Sequence, residues 1–282
     1  MGLACCTGIN DPETYLKEVF TTSCLLNLKQ IDIDNLLFEH IHGGNDIINK
    51  TNLEINSLVY SEIVKDILDC KYLKNSNDRE KLGNDFRDQD IVRKFLLNLF
   101  PLFNYNPTTN CLIFKLIMCP FILNDDLISN EKKCEILYEK IKLINYSDKD
   151  ENLLEPDMSY NRFCEAFSVY LAIVLSGFTK VLSDVLNEKN NKDEELLREG
   201  FIENLNTIFN PDNIRDYYKI IINDLIIRLE HSKDFINLDQ AKVNYQDFKF
   251  LCEKKPIVDY FKLRENFINF SKNKRNDKFL VN

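Results

Sequence analysis

The chain opens Met1-Gly2-Leu3-Ala4-Cys5-Cys6-Thr7-Gly8. Removing Met1 exposes the unhindered α-amine of Gly2, the group that N-myristoylation requires, and no charge follows to spoil the fit of this segment to an apolar acyl-transferase groove. The place where that pattern usually carries Ser or Thr holds Cys6, with Thr7 one step later. A single myristoyl chain attaches only marginally, with an association constant on the order of 10⁴ per molar, so stable anchoring takes a second signal. No run of Lys or Arg supplies it. Cys5 and Cys6, held at the bilayer surface by the first acyl chain, are the expected palmitoylation sites. The expected location is the cytoplasmic face of a membrane, plasma, ciliary or cortical, with the chain lipid-anchored.

No other set of residues points to a reaction. Gly43-Gly44 is the sole glycine pair and lacks the Lys and Ser or Thr of a phosphate-binding loop, so it reads as a helix terminus. His40 and His42 stand two apart and therefore do not share a helix face. Beyond Cys5 and Cys6, the nine cysteines fall singly in apolar stretches: Cys24, Cys70, Cys111, Cys119, Cys134, Cys164 and Cys252. No CxxC occurs, and an odd count of thiols read as buried and reduced suits a reducing compartment. The expectation is a non-enzymatic protein with no cofactor.

The elements that position these residues are helices. In 282 residues, 44% hydrophobic and 29% charged, there are 7 Gly, 7 Pro and no Trp, which argues against a turn-rich β protein. A formal charge of -9 and a pI near 5.0 exclude nucleic acid as a natural partner. Apolar residues recur at three- and four-residue spacing, predicting helices over 12–28, 33–42, 54–73, 85–103, 111–123, 129–144, 158–187, 193–209, 212–230, 244–252 and 258–271. The longest uncharged run, Ala166 to Thr179, is 14 residues, short of the roughly 20 a spanning helix needs, and reads as a core helix. The basic end Lys272-Asn273-Lys274-Arg275-Asn276-Asp277-Lys278 reads as a solvated tail.

A cadence repeats four times: helix, polar stretch, short apolar extended segment, helix. Its last copy runs from Ile214–Glu230 through a loop to Val243-Asn244-Tyr245-Gln246-Asp247-Phe248. The third runs from Glu131–Ile144 to Met158-Ser159-Tyr160-Asn161-Arg162-Phe163. The second joins Asp85–Phe103 to Cys111-Leu112-Ile113-Phe114, and the first joins Ile33–Ile41 through Gly43-Gly44 to Ile47-Ile48. This cadence resembles the EF-hand superfamily, in particular four-hand proteins of the calcineurin B, neuronal calcium sensor and calaxin type. The resemblance implies an all-α fold of two lobes, each of paired helix-loop-helix units: an acylated tail over 1–11, lobes over 12–125 and 126–271, the second enlarged by an inserted helix near 193–209, and a basic tail over 272–282. It further implies that the apolar loop residues Met158 and Val243 sit at the eighth loop position, where paired hands form a small β-bridge.

A calcium loop needs carboxylates at alternating positions, Gly at the sixth and a bidentate Glu at the twelfth. With Val243 eighth, the first, third and fifth places fall on Ile236, Leu238 and Gln240, the sixth on Ala241 and the twelfth on Asp247. With Met158 eighth, the twelfth is Arg162, a cation. Asp148, Asp150 and Asn152 begin like a loop, yet Leu153 stands where Gly belongs and Ser159 where Glu belongs, so they are a weak alternative metal set only. The second copy ends on Leu116 or Lys115. The loops are expected to be empty, which leaves a scaffold held by apolar packing rather than a sensor switched by an ion.

The family's usual work is to lay a partner's amphipathic helix into an apolar groove. Candidate groove residues are Phe95, Phe100, Phe114 and Phe121 in the first lobe and Phe163, Phe167, Phe178 and Phe261 in the second. The expected function is a membrane-tethered adaptor or scaffold that binds a protein partner. A calcium sensor with atypical loops and a structural component of a ciliary or cytoskeletal assembly stay open beside it.

Overall fold

The computed structural model describes residues 12–26, 28–42, 55–69, 89–105, 110–144, 157–187, 203–231 and 236–280, which are mostly helical. α1 (Pro12–Thr21), α2 (Ser23–Leu26), α3 (Gln30–His42) and α4 (Ser57–Leu68) come first. α5 (Gln89–Asn98) runs into a 3₁₀ turn (Phe100–Tyr105), followed by α6 (Asn110–Leu123) and α7 (Asn130–Leu143). Strand β1 (Met158–Ser159) leads into α8 (Tyr160–Leu171), which continues through a π-helical stretch (Ala172–Gly177) into α9 (Phe178–Asn187). A short helical segment over 203–208 precedes α10 (Pro211–Glu230), β2 (Lys242–Val243), α11 (Tyr245–Lys254) and α12 (Tyr260–Leu280).

Local chemistry sets these boundaries. Asn56 accepts from the Leu58 and Val59 amides, both at 3.0 Å, and starts α4. Asn210 accepts from the Asn213 amide at 2.9 Å, with Pro211 at the first helical position, where its missing N–H costs nothing. The expected single helix over 12–28 is instead interrupted at Thr22. The Thr21 and Thr22 hydroxyls donate back to the Lys17 and Glu18 carbonyls, at 2.7 and 2.9 Å, the kind of side-chain bond that bends and weakens a helix. The segment read as a helix over 158–187 begins as a strand and widens to π geometry midway. There Gly177 lets Leu102 approach so closely that a Cβ would stand 2.9 Å from its Cδ2.

At the other end, the residues read as a basic tail are helical as far as Leu280. Lys274 is partly buried and reaches α10, bonding Asp216 at 2.5 Å and Asn213 at 3.2 Å. The stretch Tyr160–Val185 is long and apolar enough to cross a membrane by length and composition, and 72% of its apolar window is buried within the fold.

The buried side chains of both halves of the chain form one cluster. At its centre Phe20 of α1 stacks on Phe121 of α6 (4.4 Å between centroids) and on Tyr260 of α12 (4.8 Å), while Phe178 of α9 packs edge-on against Phe95 of α5 at 5.8 Å. Aromatic pairs at these separations add to the stabilisation from area burial alone. Beside them lies a buried cation. Arg264 of α12 is 0% exposed and donates through Nε to both carboxylate oxygens of Glu13 (2.7 and 2.8 Å) and through Nη1 to Thr179 (2.8 Å), with its guanidinium 4.0 Å above the Phe209 ring. The pair therefore ties the first described helix to the last.

Removing one partner of such a pair leaves a buried charge without its counter-charge, which costs about 3–5 kcal/mol when both are buried. Glu13 keeps 29% of its side-chain surface exposed, so solvent screens part of this. Glu13→Ala is expected to lower the unfolding free energy in urea by about 2–3 kcal/mol. An unchanged midpoint would mean that α1 is not docked on α12.

Candidate functional site

The site worth building from its residues is the junction of β1 and β2. The strands run antiparallel, Met158 opposite Val243 and Ser159 opposite Lys242, and the Tyr160 amide donates to the Ala241 carbonyl at 2.9 Å. Met158 and Val243 are buried; Ser159 and Lys242 are exposed, as the two-residue period of a strand requires. Each strand connects two helices, β1 between α7 and α8, β2 between α10 and α11. Four helices thus meet at one short ladder.

Side chains reinforce the crossing. The Tyr138 hydroxyl on α7 donates to the Val243 carbonyl at 2.9 Å, and the Tyr218 hydroxyl on α10 donates to the Cys164 carbonyl on α8 at 3.1 Å. Burial, with the nearby Asp157 and Asp247 charges adding, pushes the Tyr138 phenol well above its ordinary range, so it stays a proton donor. Tyr245 of α11 donates to the Glu131 carbonyl at 3.1 Å, and Lys249 pairs with the Glu131 carboxylate at 2.7 Å.

Arg162 and Asp247, which the sequence comparison with a calcium loop put at the twelfth place, are both engaged within the chain. Arg162, in the first turn of α8, donates through Nη2 to the Lys142 carbonyl at 3.0 Å. It places a positive charge on the C-terminal end of α7, where the helix dipole is negative. Asp247, only 8% exposed, accepts from the Asn244 amide at 3.1 Å, while Asn244 accepts from the Gln246 and Asp247 amides. This reciprocal pair is a capping box at the start of α11. The second Asp247 oxygen lies 3.5 Å from the Arg228 guanidinium of α10. Among the described residues no group of three or more His, Cys, Asp or Glu side chains stands together to hold a metal.

The proposed partner groove is not open. Phe95, Phe114, Phe121, Phe163, Phe167 and Phe178 are buried at 3% exposure or less, and Phe100 and Phe261 are partly buried against the same core. The physical reason is that the chain supplies its own aromatic partners: Phe20 fills the space beside Phe121 and Phe261, and Phe248 lies against Phe163. Gly2, Cys5 and Cys6, the weak metal set Asp148, Asp150 and Asn152, and the Gly43-Gly44 pair lie outside the described residues, as do residues 193–202 of the inserted helix.

One polar link was not foreseen. His40 of α3 lies between two carboxylates of α4, Nε2 at 2.9 Å from Asp66 and Nδ1 at 3.5 Å from Glu62. Sequence spacing carries no signal for it, because its partners stand on another helix. The sequence reading gives Asp247 only a loop position, although the Asn-x-x-Asp spacing of Asn244 and Asp247 carries the capping-box signal. Comparison with protein-family models, curated proteins and solved structures gives no match.

Replacing Arg162 with Met keeps an unbranched apolar stem but removes a charged hydrogen bond at the end of α7. Arg162→Met is expected to lower the unfolding free energy by about 1–2 kcal/mol, measured by urea titration. Stability equal to that of the parent would show that the guanidinium contributes nothing to the junction.

Proposed function

We propose that the chain is a membrane-tethered, non-enzymatic adaptor built on EF-hand-like paired units that have lost calcium ligation, and that it binds a protein partner. The observation that carries the reading is the Met158–Val243 pair. The resemblance to paired hands puts both residues at the eighth loop position, and they lie opposite each other in an antiparallel ladder, each between an incoming and an outgoing helix. The loop ends are consistent with an ion-free junction. A guanidinium closes one of them, and in the other the carboxylate is spent on a capping box and on Arg228. A scaffold of this kind has no charge change with which to switch, so regulation falls on where the protein is held.

The tether rests on Gly2, Cys5 and Cys6. An amphipathic partner helix would find the interior already filled by α1 and α12, so entry there requires displacing α1 from Phe121 and Arg264.

Metabolic labelling with alkynyl myristate and alkynyl palmitate tests the tether. The parent chain is expected to take up both labels and to sediment with membranes. Gly2→Ala loses both labels, and Cys5→Ser/Cys6→Ser keeps myristate but releases most of the protein from membranes. Continued membrane association of Gly2→Ala would contradict the proposal, and its retention in a detergent-insoluble fraction would favour a cytoskeletal role. Calorimetry is expected to give no binding heat at micromolar calcium. Binding abolished by Asp148→Ala/Asp150→Ala would identify a sensor instead.

A further inference from the structure

An open cleft of about 590 Å³ lies between α7, α11 and the start of α12, and two cysteines, Cys134 and Cys252, stand together on its wall. Cys134 is on α7 and Cys252 on α11. Both are free thiols, Cys134 4% exposed and Cys252 partly exposed. The helices that carry them are held in register by the bonds from Lys249 and Tyr245 to Glu131, one turn before each cysteine. The cleft is lined by Lys249, Lys254, Lys255 and Lys262 together with Glu131, Glu253, Asp259 and Glu265.

The geometry points to Cys134 and Cys252 as a redox-modification site: a dithiol that small hydroperoxides oxidise to an intrachain disulfide, stapling α7 to α11. Three features favour it over the chain's other described thiols. First, the pair shares one cleft open to solvent, whereas Cys24 and Cys119 are fully buried and Cys164, partly exposed, stands apart from the cleft with its thiol pushed up by burial. Second, the helices that carry the two thiols, α7 and α11, pack directly against each other beside the cleft that both cysteines line. The Cys252 thiol donates to the Cys134 sulfur and so draws the Cys134 thiol below its ordinary range, the Lys249 ammonium adding to this against the opposing cost of burial. Cys252 itself is pushed up, by burial first and by the proton it shares with Cys134. Third, the roles divide: Cys134 holds the thiolate that attacks, and Cys252 keeps its proton until it resolves.

The chemistry balances without any group beyond the peroxide. The Cys134 thiolate attacks one peroxide oxygen, the O–O bond breaks, and the leaving alkoxide or hydroxide takes a proton to depart as alcohol or water. Cys134 becomes a sulfenic acid. The Cys252 sulfur then attacks the Cys134 sulfur, the S–S bond forms, the S–O bond breaks, and hydroxide leaves as water with the Cys252 proton. Two thiols lose two electrons, and the peroxide is reduced. The product joins the helix that enters β1 to the helix that leaves β2, so oxidation would lock the junction described above. The inference needs only the two thiols and their cleft, and it stands independently of the adaptor reading.

The test uses the full chain, treated with a small excess of hydrogen peroxide, quenched by alkylation and digested without reductant for mass spectrometry. The expected result is a Cys134–Cys252 cross-linked peptide as the main oxidised product, reversed by dithiothreitol. It should be accompanied by a rise in melting temperature of roughly 5–10 °C, because the link closes a long loop of the unfolded chain. In the parent chain, where Cys252 still lowers the Cys134 thiol, dimedone added with the peroxide is expected to trap part of Cys134 as the sulfenic acid and to reduce the yield of the cross-link. Recovery of both residues as alkylated thiols while other cysteines oxidise would overturn the proposal. So would a cross-link that lowers the melting temperature.

Discussion

Met158 and Val243 face each other in a ladder only two residues long, yet this contact constrains most of the second half of the chain. A short ladder stabilises little by itself, and its weight comes from what it joins. α8 and α11 begin directly after the two strands, and α7 and α10 are joined to the same region by side chains, so pairing the strands helps to fix how these helices sit. The hydroxyls of Tyr138 and Tyr218 then bridge across the pair to backbone carbonyls. These are satisfied polar contacts inside an apolar setting, which specify one arrangement because any slip leaves a buried donor or acceptor unpaired.

What would otherwise be a bundle of separate helical units is closed by its ends. Phe20 enters the aromatic centre from α1, Tyr260 enters from α12, and Arg264 joins these helices through Glu13. The same closure explains why the phenylalanines that could line a groove are interior instead. An aromatic face left open to water is costly at about 25 cal/mol per Å², and the chain has a helix at each end to cover it. Any partner that uses this interior competes with the chain's own first helix.

The sequence made the helices legible because three- and four-residue spacing is a local property of α6, α7 and α10. Periodicity put Met158 at the start of a helix, and only the likeness to paired hands suggested a β-bridge at Met158 and Val243, because a two-residue strand is too short to show a period of its own. What it did not reveal was contact between distant segments. The Glu13–Arg264 pair, the His40–Asp66 pair and the Cys134–Cys252 pair each join residues on different helices, and no spacing rule reaches across them. The groove expectation failed for the same reason: the stripe of phenylalanines was visible, while the α1 and α12 residues that cover it were not connected to it in sequence. The end of α12 was misread because its basic, polar residues suggest a tail, whereas Lys274 finds Asp216 and Asn213 only in the folded chain.

The junction, as proposed above, coheres through side-chain packing and the chain's own charges without an ion to brace it. Backbone hydrogen exchange at the Tyr160 amide, bonded to the Ala241 carbonyl, reads this directly. The account predicts protection comparable to that of core helix amides, and equal rates in chelator and in millimolar calcium. Rapid exchange in chelator that slows when calcium is added would contradict it, because the ladder would then owe its existence to a bound ion.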